Sequence, residues 1–173
     1  VGQTLNLLSL TVVLGLGWFI TVKCNPVERS RMLALMILTM SSVVFWALFE
    51  QASASMTLYA DRVLDRNILG LELTASQFGS LNAFFIFLFA PLFAWLWIFL
   101  GRRGLEPTTP VKFALGIAQA GLGFGALVIG AAAPNEAGMV AGYWLVLAYL
   151  LHTTGELCLS PVGLSAVTKL SVP

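Results

Sequence analysis

Two acidic residues lie within long apolar stretches of the sequence, where a carboxylate is energetically costly. Glu50 is the only Asp or Glu between residues 32 and 60, and Glu156 is the only one between residues 140 and 168. A charged side chain at the centre of a bilayer costs roughly 2.5–3.5 kcal/mol on insertion scales. Apolar surroundings favour the neutral carboxyl group, whereas a nearby cation favours the charged form. Such a group exchanges a proton as a cation comes and goes, which is the chemistry of proton coupling.

The two acids differ in their predicted depth in a membrane. Glu156 lies thirteen residues from both Tyr143 and Lys169, so about 20 Å of helix separates it from either end. It is therefore predicted near the midplane, either in a substrate site or paired with a basic group on another helix. Glu50 lies nineteen residues after Arg31, about 28 Å along a helix, in the outer third of the bilayer. There the carboxylate either faces an internal cavity or extends to the outer headgroups.

The polar neighbours of Glu50 favour the internal cavity. Four residues recur at helical spacing and are predicted to share one face: Trp46, Glu50, Ser53 and Thr57. A face with an aromatic ring, an acid and hydroxyl groups is typical of a water-filled cavity, because lipid offers these groups no partners. Asn82, on the next apolar segment, falls at a similar depth. Its amide is expected either to hydrogen-bond a carboxyl on the second span or to contact substrate directly.

The stretch around Glu156 contains residues that disturb a helix. Pro161 lacks an amide hydrogen and clashes with the carbonyl of Leu157, so a kink is predicted there. Gly155 and Gly163 add flexibility. A freed carbonyl beside a carboxylate forms a negative niche that stabilises a cation such as an ammonium group. Broken helices with polar groups at the midplane are typical of transporter binding sites.

The composition indicates that these residues are carried by a membrane-embedded chain. Of the 173 residues, 58% are hydrophobic and 10% are charged, and the mean hydropathy is +0.90. Because an ordinary soluble domain is about a quarter charged, a soluble binding module is excluded. A net charge of +1 without a basic run excludes a nucleic-acid surface. The sequence has no metal-binding Cys/His spacing and no nucleotide-binding motif, so no cofactor is expected.

Five segments are long and apolar enough to form membrane-spanning helices: Leu5–Val22, Met32–Tyr59, Ser76–Leu100, Val111–Ala133 and Gly142–Leu164. The four connections and the tail carry three, two, three, zero and one Lys/Arg, in chain order. The positive-inside rule places the first, the third and the last on the cytoplasmic side. The chain opens on Val rather than Met within an apolar stretch, so we expect an internal segment of a longer protein.

Other functional classes fit the sequence less well. A membrane-embedded enzyme would need a nucleophile–base pair or a metal cluster, and His152 and Glu156 lie one turn apart. The chain has no second histidine, so this pair is interpreted as structural. Close helix packing is predicted from five glycines of the fourth span, which alone would permit a passive scaffold or channel: Gly116, Gly121, Gly123, Gly125 and Gly130. Two intramembrane acids instead favour a carrier.

Two longer motifs resemble a known family. The stretches FWALFEQASASMTLYADR (residues 45–62) and GELCLSPVGLSAVTKL (residues 155–170) resemble the seventh and tenth helices of the proton-dependent oligopeptide transporters, a family of the major facilitator superfamily. The shorter motifs VERSRM and SLNAFF also fit. The resemblance implies an all-α integral membrane fold. Residues 1–30 would form a linker transmembrane helix and a cytoplasmic connection, and residues 31–173 the first four helices of the C-terminal bundle.

The resemblance also implies roles for individual residues. Glu50 would act in proton coupling and gating, Glu156 would bind the peptide amino terminus and share in proton coupling, and Asn82 would contact the peptide. Further pocket candidates are Ser160, Trp46 and Gln51. The implied function is proton-coupled uptake of di- and tripeptides across a bacterial inner membrane, with nitrate or another small solute as the alternative cargo. The N-terminal bundle and the last helices would come from outside this sequence.

Overall fold

The computed structural model describes residues 2–68 and 70–170, and the side chains among them except those of residues 5, 68, 71 and 160–170. The described chain is mainly helical, which confirms the all-α fold. Its helices are α1 (Gly2–Val22), α2 (Pro26–Phe49), α3 (Ser55–Arg62), α4 (Ala75–Arg102), α5 (Thr109–Ala131) and α6 (Tyr143–Leu170). Four described segments are long and apolar enough to cross a membrane: α1, the α2–α3 segment, α4 and α5. The fifth predicted span corresponds to α6, whose 28 residues extend about 42 Å.

Local sequence signals set the helix starts. At α2, the Asn25 side chain accepts the Glu28 amide at 2.9 Å, and the Glu28 carboxylate accepts the Asn25 amide at 2.8 Å. Pro26 then occupies the first helical position. Thr74 and Gln77 form the same reciprocal pair before α4. These caps satisfy amides that have no partner within the helix, so they fix where each span begins.

The second predicted span, Met32–Tyr59, is confirmed as part of a candidate membrane span, Pro26–Arg62, but it is not one uninterrupted α-helix. Helix α2 ends at Phe49, a 3₁₀ turn covers Glu50–Ala52, and α3 begins only at Ser55. The single helical face predicted from Trp46 to Thr57 is therefore interrupted at its centre. The sequence signal had pointed to Pro161 as the place of disturbance, but α6 is helical through that residue to its end.

Side-chain hydroxyls stabilise this break between α2 and α3. Ser53 Oγ donates to the Glu50 carbonyl at 2.8 Å, and Thr57 Oγ1 donates to the Ala52 carbonyl at 3.1 Å. Tyr149 Oη, from α6, donates to the same Ala52 carbonyl at 3.3 Å. Serine and threonine compete with the helical ladder by offering the backbone local alternatives. The break is therefore built from polar residues and is held by the neighbouring helix.

Helix α6 is the central element, since it packs against α2, α4 and α5. One buried cluster joins α3, α4, α5 and α6 and contains Met56, Phe78, Phe85, Leu127, Leu145 and Tyr149. A second joins α2, α5 and α6 and contains Leu38, Phe45, Phe113, Ala120 and Leu159. These clusters fix the positions of the facing polar residues.

The glycines of α5 explain how closely it approaches α6. Three of the five lie against α6, as the packing prediction requires: Gly116, Gly123 and Gly130. A Cβ atom on Gly123 would lie 2.5 Å from Cδ2 of His152, so only glycine fits there. The other two glycines of the set have nothing within 4 Å of such an atom: Gly121 and Gly125.

Two-residue strands connect the helix ends on the predicted external side: β1 (Leu64–Asp65), β2 (Asn67–Ile68), β3 (Leu71–Glu72) and β4 (Val140–Ala141). Strand β1 pairs in parallel with β4, and β2 pairs antiparallel with β3. Asn135 Nδ2 donates to Asp65 Oδ2 at 3.2 Å across the first pair. The loop after α3 is thereby tied to the loop between α5 and α6.

A buried lysine links α4 and α5 on the predicted cytoplasmic side. Lys112 is 4% exposed, and its ammonium group pairs with the Glu106 carboxylate at 2.5 Å. The same nitrogen lies 4.3 Å from the centroid of the Trp97 ring. The ion pair and the cation–π contact together compensate the desolvation of the ammonium group.

Candidate transport site

A small cavity lies where the break after α2 meets α4 and α6. Its volume is about 190 Å³, and its wall mixes aromatic and polar side chains, among them Phe49, Ser53, Thr57, Asn82, Tyr149 and His152. Small-molecule sites characteristically combine an apolar wall with a few convergent polar groups. The cavity is therefore the candidate binding site, and its wall includes Asn82 from the predicted set.

Asn82 lines this cavity and is bonded to Glu156, which is not among the residues that line it. Asn82 Nδ2 donates to Glu156 Oε2 at 3.2 Å and to Thr153 Oγ1 at 3.1 Å. Thr153 is buried and in turn donates to the Tyr149 carbonyl at 2.8 Å. The carboxyl partner of Asn82 thus lies on α6, and the predicted bond to the second span was wrong. In the described chain the second oxygen of Glu156 has no hydrogen-bond partner, which leaves it free to accept one.

Glu50 occupies the first position of the break rather than the cavity wall. Its side chain is exposed and has no hydrogen-bond partner among the described residues, while its backbone carbonyl accepts the Ser53 hydroxyl. Its neighbours Phe49, Ala52 and Ser53 line the cavity. Glu50 is thus adjacent in sequence to the wall of the site without being part of it.

Neither Glu156 nor Trp46 is among the described residues of the cavity wall. Trp46 is 38% exposed and makes edge contacts with Phe45 and Phe49, at ring-centroid distances of 5.6 and 5.3 Å. The side chain of Ser160 lies outside the described residues.

Sequence reasoning missed Tyr149 and Thr153. Tyr149 bonds the break through its hydroxyl, and Thr153 shares the Asn82 amide with Glu156. The signal was present, because Tyr149, Thr153 and Glu156 are separated by four and three residues and so share one helix face. Their burial depends on α4 and α2, which one helix pattern does not reveal.

His152 is buried in the same wall, and its ring is held by α5 rather than by Glu156. Its Nε2 atom lies 3.1 Å from the Ala120 carbonyl, and Phe124 meets the ring edge-on at 5.0 Å. No hydrogen bond joins His152 to Glu156 in the described part of the chain. Nor do the described residues bring together three or more His, Cys, Asp or Glu side chains that could hold a metal ion.

A helical membrane bundle in which an acid is bonded to a residue of a partly polar cavity has the architecture of a secondary transporter. The family model described as PTR2, the POT family, matches residues 5–173. The chain belongs to the POT family of peptide transporters, which have the major facilitator fold.

Individual relatives agree with this assignment. The chain is 48% identical to "Uncharacterized transporter YclF" of Bacillus subtilis, covering 88% of this chain and 30% of the relative. It is 37% identical to "Dipeptide and tripeptide permease A" of Erwinia pyrifoliae, covering 82% of this chain and 28% of that relative. It also matches a crystal structure of the peptide transporter POT in complex with sulfate, with 40% identity and a TM-score of 0.84. The match covers 98% of this chain and 34% of that transporter chain. The chain thus spans less than a third of each curated relative's length.

Proposed function

We propose that the full-length protein is a proton-coupled importer of di- and tripeptides in a bacterial inner membrane. One observation carries the proposal: Asn82, which lines the cavity, holds one oxygen of Glu156, while the other oxygen has no partner in the described chain. The names of relatives support a peptide cargo, since one is a dipeptide and tripeptide permease. In this proposal residues 1–30 form the linker helix and its connection, and residues 31–173 form the first four helices of the C-terminal bundle.

Glu156 is proposed to bind the ammonium group at the peptide amino terminus. A carboxylate and an ammonium group form a charge-assisted hydrogen bond, which is about twice as strong as a neutral one. The Asn82 amide orients the carboxylate and leaves one oxygen for the ligand. Every peptide has an amino terminus, so this contact is independent of the cargo's side chains. Trp46 and Ser160 are proposed as further lining residues once the rest of the transporter completes the cavity.

Glu50 is proposed to carry the coupled proton. It lies at the first residue of the break, where α2 gives way to the 3₁₀ turn. Protonation removes the charge from a segment whose adjacent side chains form the cavity wall. Proton release from Glu50 or Glu156 is thereby linked to the opening and closing of the peptide site, in which the two transporter bundles rock about the site.

Uptake into liposomes tests the proposed cargo and energy source. The full-length protein is reconstituted, the outside is made acidic, and a dipeptide, a tripeptide and nitrate are compared as radiolabelled substrates. The expected result is accumulation of both peptides above the external concentration, which a protonophore abolishes. Accumulation of nitrate without peptide, or peptide uptake insensitive to the protonophore, would overturn the proposal.

A further inference from the structure

His152 carries a buried ring nitrogen that the packing leaves without a partner. Its Nε2 atom lies 3.1 Å from the Ala120 carbonyl, and since a carbonyl only accepts, Nε2 must carry the proton. In the neutral ring Nδ1 then has a bare lone pair and acts as an acceptor. Nδ1 is buried and has no hydrogen-bond partner among the described residues. Buried polar atoms without a partner are rare in folded chains, so this one requires a physical reason.

The geometry of the ring directs Nδ1 away from α5. A Cβ atom on Gly123 would lie 2.5 Å from Cδ2 of His152, and Nε2 bonds Ala120, so this edge of the ring faces α5. Nδ1 lies on the opposite edge. The same histidine lines the cavity between the break, α4 and α6. The unsatisfied acceptor is thus on the side of the ring that turns toward the candidate site.

We propose that Nδ1 of His152 accepts a hydrogen bond from the first peptide-bond N–H of the bound substrate. This inference rests on the proposed function, in which Glu156 holds the substrate's ammonium group. His152 and Glu156 are four residues apart on one helix face, with about 5–6 Å between their Cβ atoms. The amino nitrogen and the next amide nitrogen of a peptide are about 3–3.5 Å apart. With hydrogen bonds of about 2.9 Å at each end, one peptide reaches both groups.

Phe49 connects the His152 ring to the break after α2. Its ring lies against the His152 ring, with 6.1 Å between centroids and 31° between planes. Phe49 is the last residue of α2, next to Glu50 and the break. A residue in contact with the His152 ring is therefore the direct neighbour of Glu50 in the chain.

A pair of substrates isolates the proposed hydrogen bond. Glycylalanine has an N–H at its peptide bond, whereas glycylsarcosine carries a methyl group on the same nitrogen. In His152→Gln the Gln Nε2 atom still reaches the Ala120 carbonyl, but no acceptor replaces Nδ1. In the full-length protein reconstituted in liposomes, this variant is expected to raise KM for glycylalanine about fivefold to tenfold and to leave KM for glycylsarcosine within about twofold.

A second variant keeps the test decisive if His152→Gln disturbs folding. His152→Asn has an acceptor at the position of Nδ1 but loses the bond to Ala120, so the wild-type ratio of the two KM values is expected to persist. Equal effects of His152→Gln on both peptides, or a ratio altered by His152→Asn, would overturn the role of His152. If the wild-type protein takes up neither peptide, the proposed function fails together with this inference. Normal wild-type uptake with equal variant effects rejects the histidine role alone.

Discussion

Replacing Gly123 by alanine tests the close contact between α5 and α6 that positions His152. The added Cβ atom would lie 2.5 Å from Cδ2 and 2.9 Å from Nε2 of His152. Carbon atoms pack best at about 3.5–4.0 Å, so the overlap is about 1 Å or more. Overpacking of a core costs about 1–3 kcal/mol, and loss of the hydrogen bond from His152 to Ala120 adds about 0.5–1.5 kcal/mol. We therefore expect Gly123→Ala to destabilise the protein by about 2–4 kcal/mol.

Thermal unfolding of the full-length protein in detergent measures this effect. The apparent Tm of Gly123→Ala should fall by about 2–4 °C, since 1 kcal/mol corresponds to only about 1 °C in a protein of roughly 500 residues. KM for a dipeptide should rise because His152 leaves its place in the cavity wall. Gly125→Ala is the matched control on the same helix, since nothing lies within 4 Å of its new Cβ atom. That variant should keep or raise Tm because alanine favours a helix by about 1 kcal/mol over glycine. Equal Tm changes in the two variants would refute the packing argument.

Three further substitutions test separate contacts. Asn82→Leu removes the donor that orients Glu156. Because a hydrogen bond to a charged group contributes about 1.5–3 kcal/mol, KM for dipeptides should rise about tenfold. An unchanged KM would contradict this role of Asn82. Glu106→Gln should lower Tm more than Lys112→Met does. Glu106→Gln leaves the buried Lys112 ammonium group without its ion pair, whereas Lys112→Met leaves a carboxylate that is largely solvated. A larger Tm decrease in Lys112→Met would disprove this explanation. Tyr149→Phe removes the hydroxyl group that donates to the Ala52 carbonyl in the break. Because such a hydrogen bond contributes about 0.5–1.5 kcal/mol, the maximal uptake rate should fall about threefold. An unchanged uptake rate would show that this hydrogen bond is not needed for transport.

The helical spans could be predicted because each requires a long apolar run that the sequence displays directly. The break at Glu50–Ala52 could not, since the apolar run continues up to it. Its causes are hydroxyl groups that bond local carbonyls and a tyrosine contributed by α6. Pro161 is the stronger disturbance by residue type, yet the helix continues through it. Residue type alone therefore did not locate the break, which depends on tertiary contacts.

Of the predicted site residues, the structure places Asn82 on the cavity wall, and its pairing could not be predicted from the sequence. Asn82 was placed at a suitable depth by counting along its helix, but its partner depends on how α4 is rotated against α6. The structure pairs it with Glu156. The glycines of α5 show the same limit. The face of α5 toward α6 carries a glycine every seven residues, at Gly116, Gly123 and Gly130. The other glycines of the span hide this spacing in the sequence.

Gradient-driven uptake by two glutamine variants tests whether Glu50 or Glu156 links proton movement to peptide transport. Glu50→Gln and Glu156→Gln are compared with the wild-type protein in liposomes, both for accumulation of a dipeptide under a pH gradient and for exchange of labelled for unlabelled peptide without one. Neutralising the proton-carrying acid is expected to abolish accumulation while exchange persists. Wild-type accumulation in both single variants would contradict it, because neither acid would then link proton movement to peptide transport.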